Sequence, residues 1–151
     1  MPEVDPSLAT EFALASLVVP VLGLGAYRLG AVDITGYVAG LFAGIAVFWL
    51  GGWTWFVLVF YLTTVGSIFT RLGFSRKASL GVAQEKGGRR GWRNVTANLL
   101  VGGVAALLFR STGVGLWYAF FLGAVNSMAS DTLATEIGLT SAERPRLITR
   151  L

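Results

Sequence analysis

The stretch Ile34-Thr-Gly-Tyr-Val-Ala-Gly-Leu-Phe-Ala-Gly-Ile-Ala-Val-Phe-Trp-Leu50 carries no charge and almost no polar side chain. An isolated run of this kind fits a buried soluble helix as well as a membrane span, so its neighbours decide. Outward from it lie four more uncharged apolar stretches, Phe12 to Tyr27, Trp53 to Thr70, Val95 to Phe109 and Val114 to Ala129. Each falls slightly short of the ~20 residues that cross ~30 Å of hydrocarbon, so flanking residues must complete them. Five in series predict an all-α, polytopic transmembrane helical bundle of about five membrane helices.

Composition agrees. The chain has 151 residues, 54% of them apolar and 13% charged, with a mean hydropathy of +0.68. A soluble domain carries roughly 25% charge. The net charge is +4, but the basic residues stand in short blocks between apolar runs, which points to anionic lipid or phosphorylated substrate and away from nucleic acid. The chain contains neither Cys nor His. Thiol nucleophiles, disulfides, iron–sulfur ligation and imidazole acid–base or zinc chemistry are therefore excluded within it.

Charge distribution predicts the orientation. With the N-terminus outside, the inside holds Arg28, then Arg71, Arg76, Lys77, Lys86, Arg89, Arg90 and Arg93, then Arg144, Arg146 and Arg150. Only Arg110 stays outside, so eleven of the twelve cations obey the positive-inside rule. A multi-pass protein of the cell membrane with a cytoplasmic C-terminus is expected. The acidic start, with Glu3, Asp5 and Glu11, is unlike a secretory signal. Trp49, Trp53, Trp55, Trp117 and Tyr118 are expected in an interfacial belt. Gly36, Gly40 and Gly44 put small residues on one helix face, where another helix can approach, and Pro20 should kink or mark the first stretch. Residues 1–151 read as one helical domain with two polar cytoplasmic segments, 71–94 and 130–151.

The first of these segments holds seven cations, one acid and five glycines in 24 residues. It reads either as a solvated loop touching anionic headgroups or as a phosphate site. In the second reading Gly87, Gly88 and Gly91 let backbone approach an anion while Arg89 and Arg90 supply forked donors. Asn94 and Asn98 follow at helical spacing at the start of the fourth membrane helix. Asn94 reads as an N-cap or a ligand-orienting amide, and Asn98, a turn deeper, needs a polar partner. In the second segment, Asp131 and Glu136 sit at the inner end of the fifth helix, where carboxylates are costly unless paired or functional. Five apart, they could share an ion only if the helix ends or bends between them. With Ser127, Thr132 and Thr135 they offer hard oxygens suited to magnesium, or else form structural salt bridges.

Three strings resemble a known family, the integral membrane proteins that include transmembrane protein 19 and the phytyl-phosphate kinase of plant vitamin E synthesis. They are Gly66-Ser-Ile-Phe-Thr70-Arg-Leu-Gly73 leading to Lys77; Gln84-Glu-Lys-Gly-Gly-Arg-Arg-Gly-Trp-Arg-Asn-Val-Thr-Ala-Asn98; and Asp131-Thr-Leu-Ala-Thr-Glu136-Ile-Gly138 followed by Pro145-Arg-Leu-Ile-Thr149. The resemblance implies a kinase that converts a prenyl monophosphate to the diphosphate with a nucleoside triphosphate, CTP being one candidate, and with magnesium. It assigns Asp131 and Glu136 to metal and Lys77, Lys86, Arg89 and Arg90 to phosphates, with Asn94 and Asn98 orienting them. Arg90 and Asn98 join the two carboxylates as the catalytic set, and Ser67, Thr70 and Thr132 are secondary phosphate candidates. Members of the family continue past the Pro145 block into a Gly-rich segment and further helices, so the chain is expected to be a fragment, to have its site completed by a second copy or a separate chain, or to have lost part of the site. A transporter component and an anionic-lipid scaffold are the competing readings.

Overall fold

The computed structural model describes residues 6–83 and 85–141. It contains α1 (Pro6–Arg28), α2 (Ile34–Gly51), α3 (Trp53–Arg71), the short α4 (Phe74–Ser79), a 3₁₀ turn (Glu85–Gly88), α5 (Trp92–Thr112) and α6 (Leu116–Gly138), with no strand among the described residues. The segment Pro145 to Thr149, and with it Arg144, Arg146 and Arg150, lies outside the described residues.

Four helices are long and apolar enough to cross a membrane: Ala9–Arg28, Ile34–Gly51, Trp53–Arg71 and Trp92–Thr112. The fifth differs. α6 packs on α5 and α3 as part of the bundle, but only its first half is apolar. From Asn126 onward it carries Asn126, Ser127, Ser130, Asp131, Thr132, Thr135 and Glu136, so it joins an apolar stretch to a polar one without a break. α1 also stays helical through Pro20.

Alternation of the helices gathers the ends of α1, α3 and α6 with the starts of α2 and α5 at one end of the bundle. The opposite end is marked by Arg110 on α5, whose Nη1 lies 3.3 Å from Glu11 Oε2 on α1. Large apolar side chains face outward around the bundle, among them Phe42, Leu17, Tyr61 and Leu116. Lipid tails are as apolar as these residues, so close packing and polar contacts hold the helices together.

The glycine line of α2 shows the packing. A Cβ on Gly36 would collide with the Arg90 carbonyl oxygen, one on Gly44 would lie 2.9 Å from Val19 of α1, and one on Gly40 3.8 Å from Val95 of α5. One row of small residues thus admits a loop backbone and two helices. Trp55 is a correction to the expected belt. It is buried and stacked on Phe121 at 4.3 Å, part of a core with Val47, Val59, Leu99 and Ala105. Trp49 and Trp53 are exposed as a belt requires.

Candidate functional site

The segment after the 3₁₀ turn is held by backbone. The Asp33 N–H donates to the Arg90 carbonyl and the Arg90 N–H to the Ala31 carbonyl, both at 3.0 Å. This two-bond bridge lashes residues 89–91 across the α1–α2 connection. Successive side chains of an extended segment point to opposite sides. Arg89 is exposed, whereas Arg90 is turned inward and buried.

Arg90 lies against α3 where Gly66 has no side chain, since a Cβ there would collide with a terminal guanidinium nitrogen. Its Nε is buried and has no hydrogen-bond partner. Burial pulls the guanidinium below its ordinary value and the nearby Glu136 carboxylate opposes that pull. A cation withdrawn from water with a donor unanswered is costly unless an anion completes it.

Arg90 forms one wall of a cavity of about 200 Å³ whose other walls are Asn94, Ala97, Asn98, Asp131, Thr132, Thr135 and Glu136. All four residues expected in the catalytic set therefore meet here. Asn94 is not a cap: Gly91 is the residue before α5, and the Trp92 N–H donates to the Thr35 hydroxyl at 3.2 Å. Asn94 stands in the first turn and is exposed, with Asn98 one turn further in. Asp131 is exposed and makes no ion pair among the described residues.

Glu136 behaves differently. The Lys77 ammonium donates to Glu136 Oε2 at 2.7 Å, both side chains being 2% exposed, and to the Phe69 carbonyl at 3.1 Å. Thr70 Oγ1 lies 2.8 Å from both Glu136 Oε1 and the Gly66 carbonyl, so its single proton is shared between them. Lys77 and Thr70, expected at phosphates, instead form the layer behind the cavity that fixes α3, α4 and α6. α6 does not bend between its carboxylates; Glu136 reaches the wall from the Lys77 side, and Asp131 meets the amides of α5. Ser67 donates back to the Thr63 carbonyl at 2.7 Å and stays on its own helix.

Lys86 and Arg89 lie elsewhere, in an open cleft of about 660 Å³ with Arg28, Arg71 and Asp33. Sequence reasoning passed over Asp33. It caps α2 by accepting from the Gly36 N–H at 2.9 Å, and it accepts from the Thr35 hydroxyl and the Lys86 ammonium at 2.6 Å each. Lys86, followed by Thr35 and Gly36, holds its carboxyl well below the usual carboxylate range. The available signal was positional: an acid immediately before an apolar helix. Lys86 itself takes a left-handed φ of 55°, which costs about 1–3 kcal/mol and is uncommon outside glycine.

Magnesium, which the resemblance implies, can be tested on the donors present. No three acidic residues among the described ones gather as a metal cage. Asp131 with the amide oxygens of Asn94 and Asn98 does suit a magnesium ion that takes one or two carboxylates and completes its shell with phosphate and water.

The family model described as "Integral membrane protein DUF92" matches residues 17–151. The Synechocystis membrane protein sll0875 is 30% identical over 97% of this chain and 62% of its own length. Protein VTE6, chloroplastic, of Arabidopsis thaliana is 36% identical over 62% of this chain and 32% of its own. The Methanocaldococcus jannaschii membrane protein MJ0933 is 26% identical over 88% and 54% respectively. The chain thus spans from about a third to three-fifths of these relatives. No solved structure matches it. The matched residues take in all but the start of the first apolar run, together with the strings that meet around Arg90, and the chain belongs to the integral membrane protein family DUF92.

Proposed function

We propose that the protein carries the phosphate-binding part of a membrane kinase that transfers a phosphoryl group from a nucleoside triphosphate, CTP among the candidates, to a prenyl monophosphate. The observation that carries this reading is the buried Arg90, its Nε unanswered, lining the same cavity as Asp131, Asn94 and Asn98. An anion satisfies the guanidinium, and hard oxygens stand opposite it. The resemblance to the phytyl-phosphate kinase family and the match to the chloroplast protein support the choice of substrate class. In this reading the cavity end of the bundle faces the cytoplasm.

An oxygen of the prenyl phosphate attacks the γ-phosphorus; a new P–O bond forms as the bond to the nucleoside diphosphate breaks. The attacking oxygen is already anionic near neutral pH, so no strong general base is needed, which suits a chain without histidine. Arg90 holds the acceptor phosphate in a forked grip and Asn94 and Asn98 orient it, so alignment and charge neutralisation supply the catalysis. Asp131 would hold magnesium, which when bound would offset the charge of the donor phosphates. Glu136 serves as the anchor that sets Arg90 and α6. Lys86 and Arg89, in the open cleft, attract anions toward this face.

The test is incubation of the membrane-embedded full-length protein with labelled nucleoside triphosphates and a panel of prenyl monophosphates. Labelled prenyl diphosphate is the expected product. Its absence from every combination would sink the proposal.

A further inference from the structure

Next to the polar cavity runs a second, apolar one. It is a groove of about 500 Å³ between α3 and α6, walled by Leu58, Leu62 and Val65 on one side and Leu122, Gly123 and Leu133 on the other. The two spaces adjoin at one residue. Thr132 lines both cavities, and Gly66, which also lines the groove, is the residue on which the Arg90 guanidinium rests. The groove therefore passes beside the buried cation, with Gly66 and Thr132 between them.

We infer that this groove receives the isoprenoid tail of a phosphate-headed lipid whose phosphate sits at Arg90, and that Gly123 sets the tail length accepted. The inference rests on the proposed kinase reading for its headgroup. The tail assignment itself comes from an apolar groove lying beside an unsatisfied buried donor. A helix from a partner would cover the groove but would bring no anion to Arg90 Nε; a phosphate-headed tail answers both surfaces at once. From Thr132 to Gly123 is nine residues of α6, about 14 Å at 1.5 Å per residue, which reaches about halfway through a ~30 Å hydrocarbon layer. A tail shorter than this stops before Gly123, and a longer one must pass it. A Cβ built on Gly123, a groove-lining residue, meets nothing within 4 Å, so a side chain can be added there without a clash at its root.

The experiment uses full-length protein in vesicles, with geranylgeranyl phosphate bearing a photoreactive group near its tail end and dimethylallyl phosphate as the short probe. Crosslinks should map to α3 and α6 residues lining the groove. Gly123→Phe should weaken geranylgeranyl phosphate binding by at least about tenfold, within the range expected of steric discrimination in an apolar pocket, and leave dimethylallyl phosphate binding unchanged. Gly103→Phe, at a site on α5 equally open to a Cβ but outside the groove, should change neither. Crosslinks elsewhere, equal labelling by a photoreactive phospholipid, protection of the groove by a second copy, or indifference of the long probe to Gly123→Phe would each overturn the inference. If the Gly123 selectivity appears without phosphoryl transfer from any nucleotide, the kinase reading fails and the tail site stands. If transfer is robust but insensitive to Gly123→Phe, the tail site fails and the kinase reading stands.

Discussion

Arg89 and Arg90 are neighbours in sequence and strangers in environment. Arg90 is buried beside a half-open cavity that it lines with the exposed Asp131, the buried Glu136 and two amides. Arg89 stands in an open cleft with three further cations and with Asp33, whose carboxylate Lys86 already engages. What separates them is the backbone bridge between Val32 and Arg90, which pins an extended segment so that alternate side chains fall on opposite sides. Basic density alone is thus a poor guide to where an anion is gripped. Water screens and hydrates the open cations, whereas the buried one must be answered by a partner.

The difference can be broken most severely at the two acids. Asp131→Asn should lower prenyl-phosphate phosphorylation by about 10²–10³-fold, the cost of losing a group that acts on transition-state charge. Asp33→Asn, which changes the acid of the open cleft, should leave the rate little altered when both are assayed with labelled nucleotide. Next in size is the layer behind the cavity. Glu136→Gln strands the Lys77 ammonium in a buried site and should destabilise the protein by about 3–5 kcal/mol in detergent unfolding. Adding Lys77→Met should recover part of that loss, because the stranded ammonium is removed while Arg90 still lacks its nearby carboxylate.

Smaller effects belong to the open side. Asp33→Ala removes the cap of α2 and should cost about 0.5–2 kcal/mol. The depressed Asp33 carboxyl also sets a pH window. A group whose folded pKa is lowered stabilises fully above its unfolded value of 3.8 and loses that contribution as pH falls through the folded value. Hydrogen-exchange protection of the Arg90 amide, whose bridge neighbours Asp33, should therefore hold down to pH 3.8 and weaken only below it. Earlier weakening would mean that the Lys86 pair does not secure the bridge.

Much of the helical bundle was legible because uncharged runs near membrane length have few other fates. The limits lay where one helix changes character. α6 begins apolar and ends polar, so a reading by apolar stretches stopped it at Ala129, although the hydrogen-bonded helix continues to Gly138. Trp55 read as a belt residue because a turn stood beside it, yet burial depends on which face of α3 meets Phe121, and position alone does not carry that. Of the candidate site, Arg90, Asn94, Asn98, Asp131 and Thr132 meet around one cavity as their helix-end positions suggested. Lys77 and Thr70 looked like phosphate ligands because a cation and a hydroxyl near a helix end serve either purpose; only the fold shows them bound to Glu136. Asp33 escaped notice because nothing local distinguishes a cap from a cap that also holds a loop 53 residues away.

The buried cation, and not the denser basic cleft, grips the substrate phosphate in the proposed kinase. Binding of a labelled prenyl monophosphate to the reconstituted full-length protein, compared between Arg90→Lys and Arg89→Lys, tests this most directly. Both variants keep the charge and lose the planar fork. Binding should fall by about tenfold or more for Arg90→Lys, a loss of roughly 1.4 kcal/mol or greater, and be nearly unchanged for Arg89→Lys. Equal losses, or a larger loss at Arg89, would contradict it.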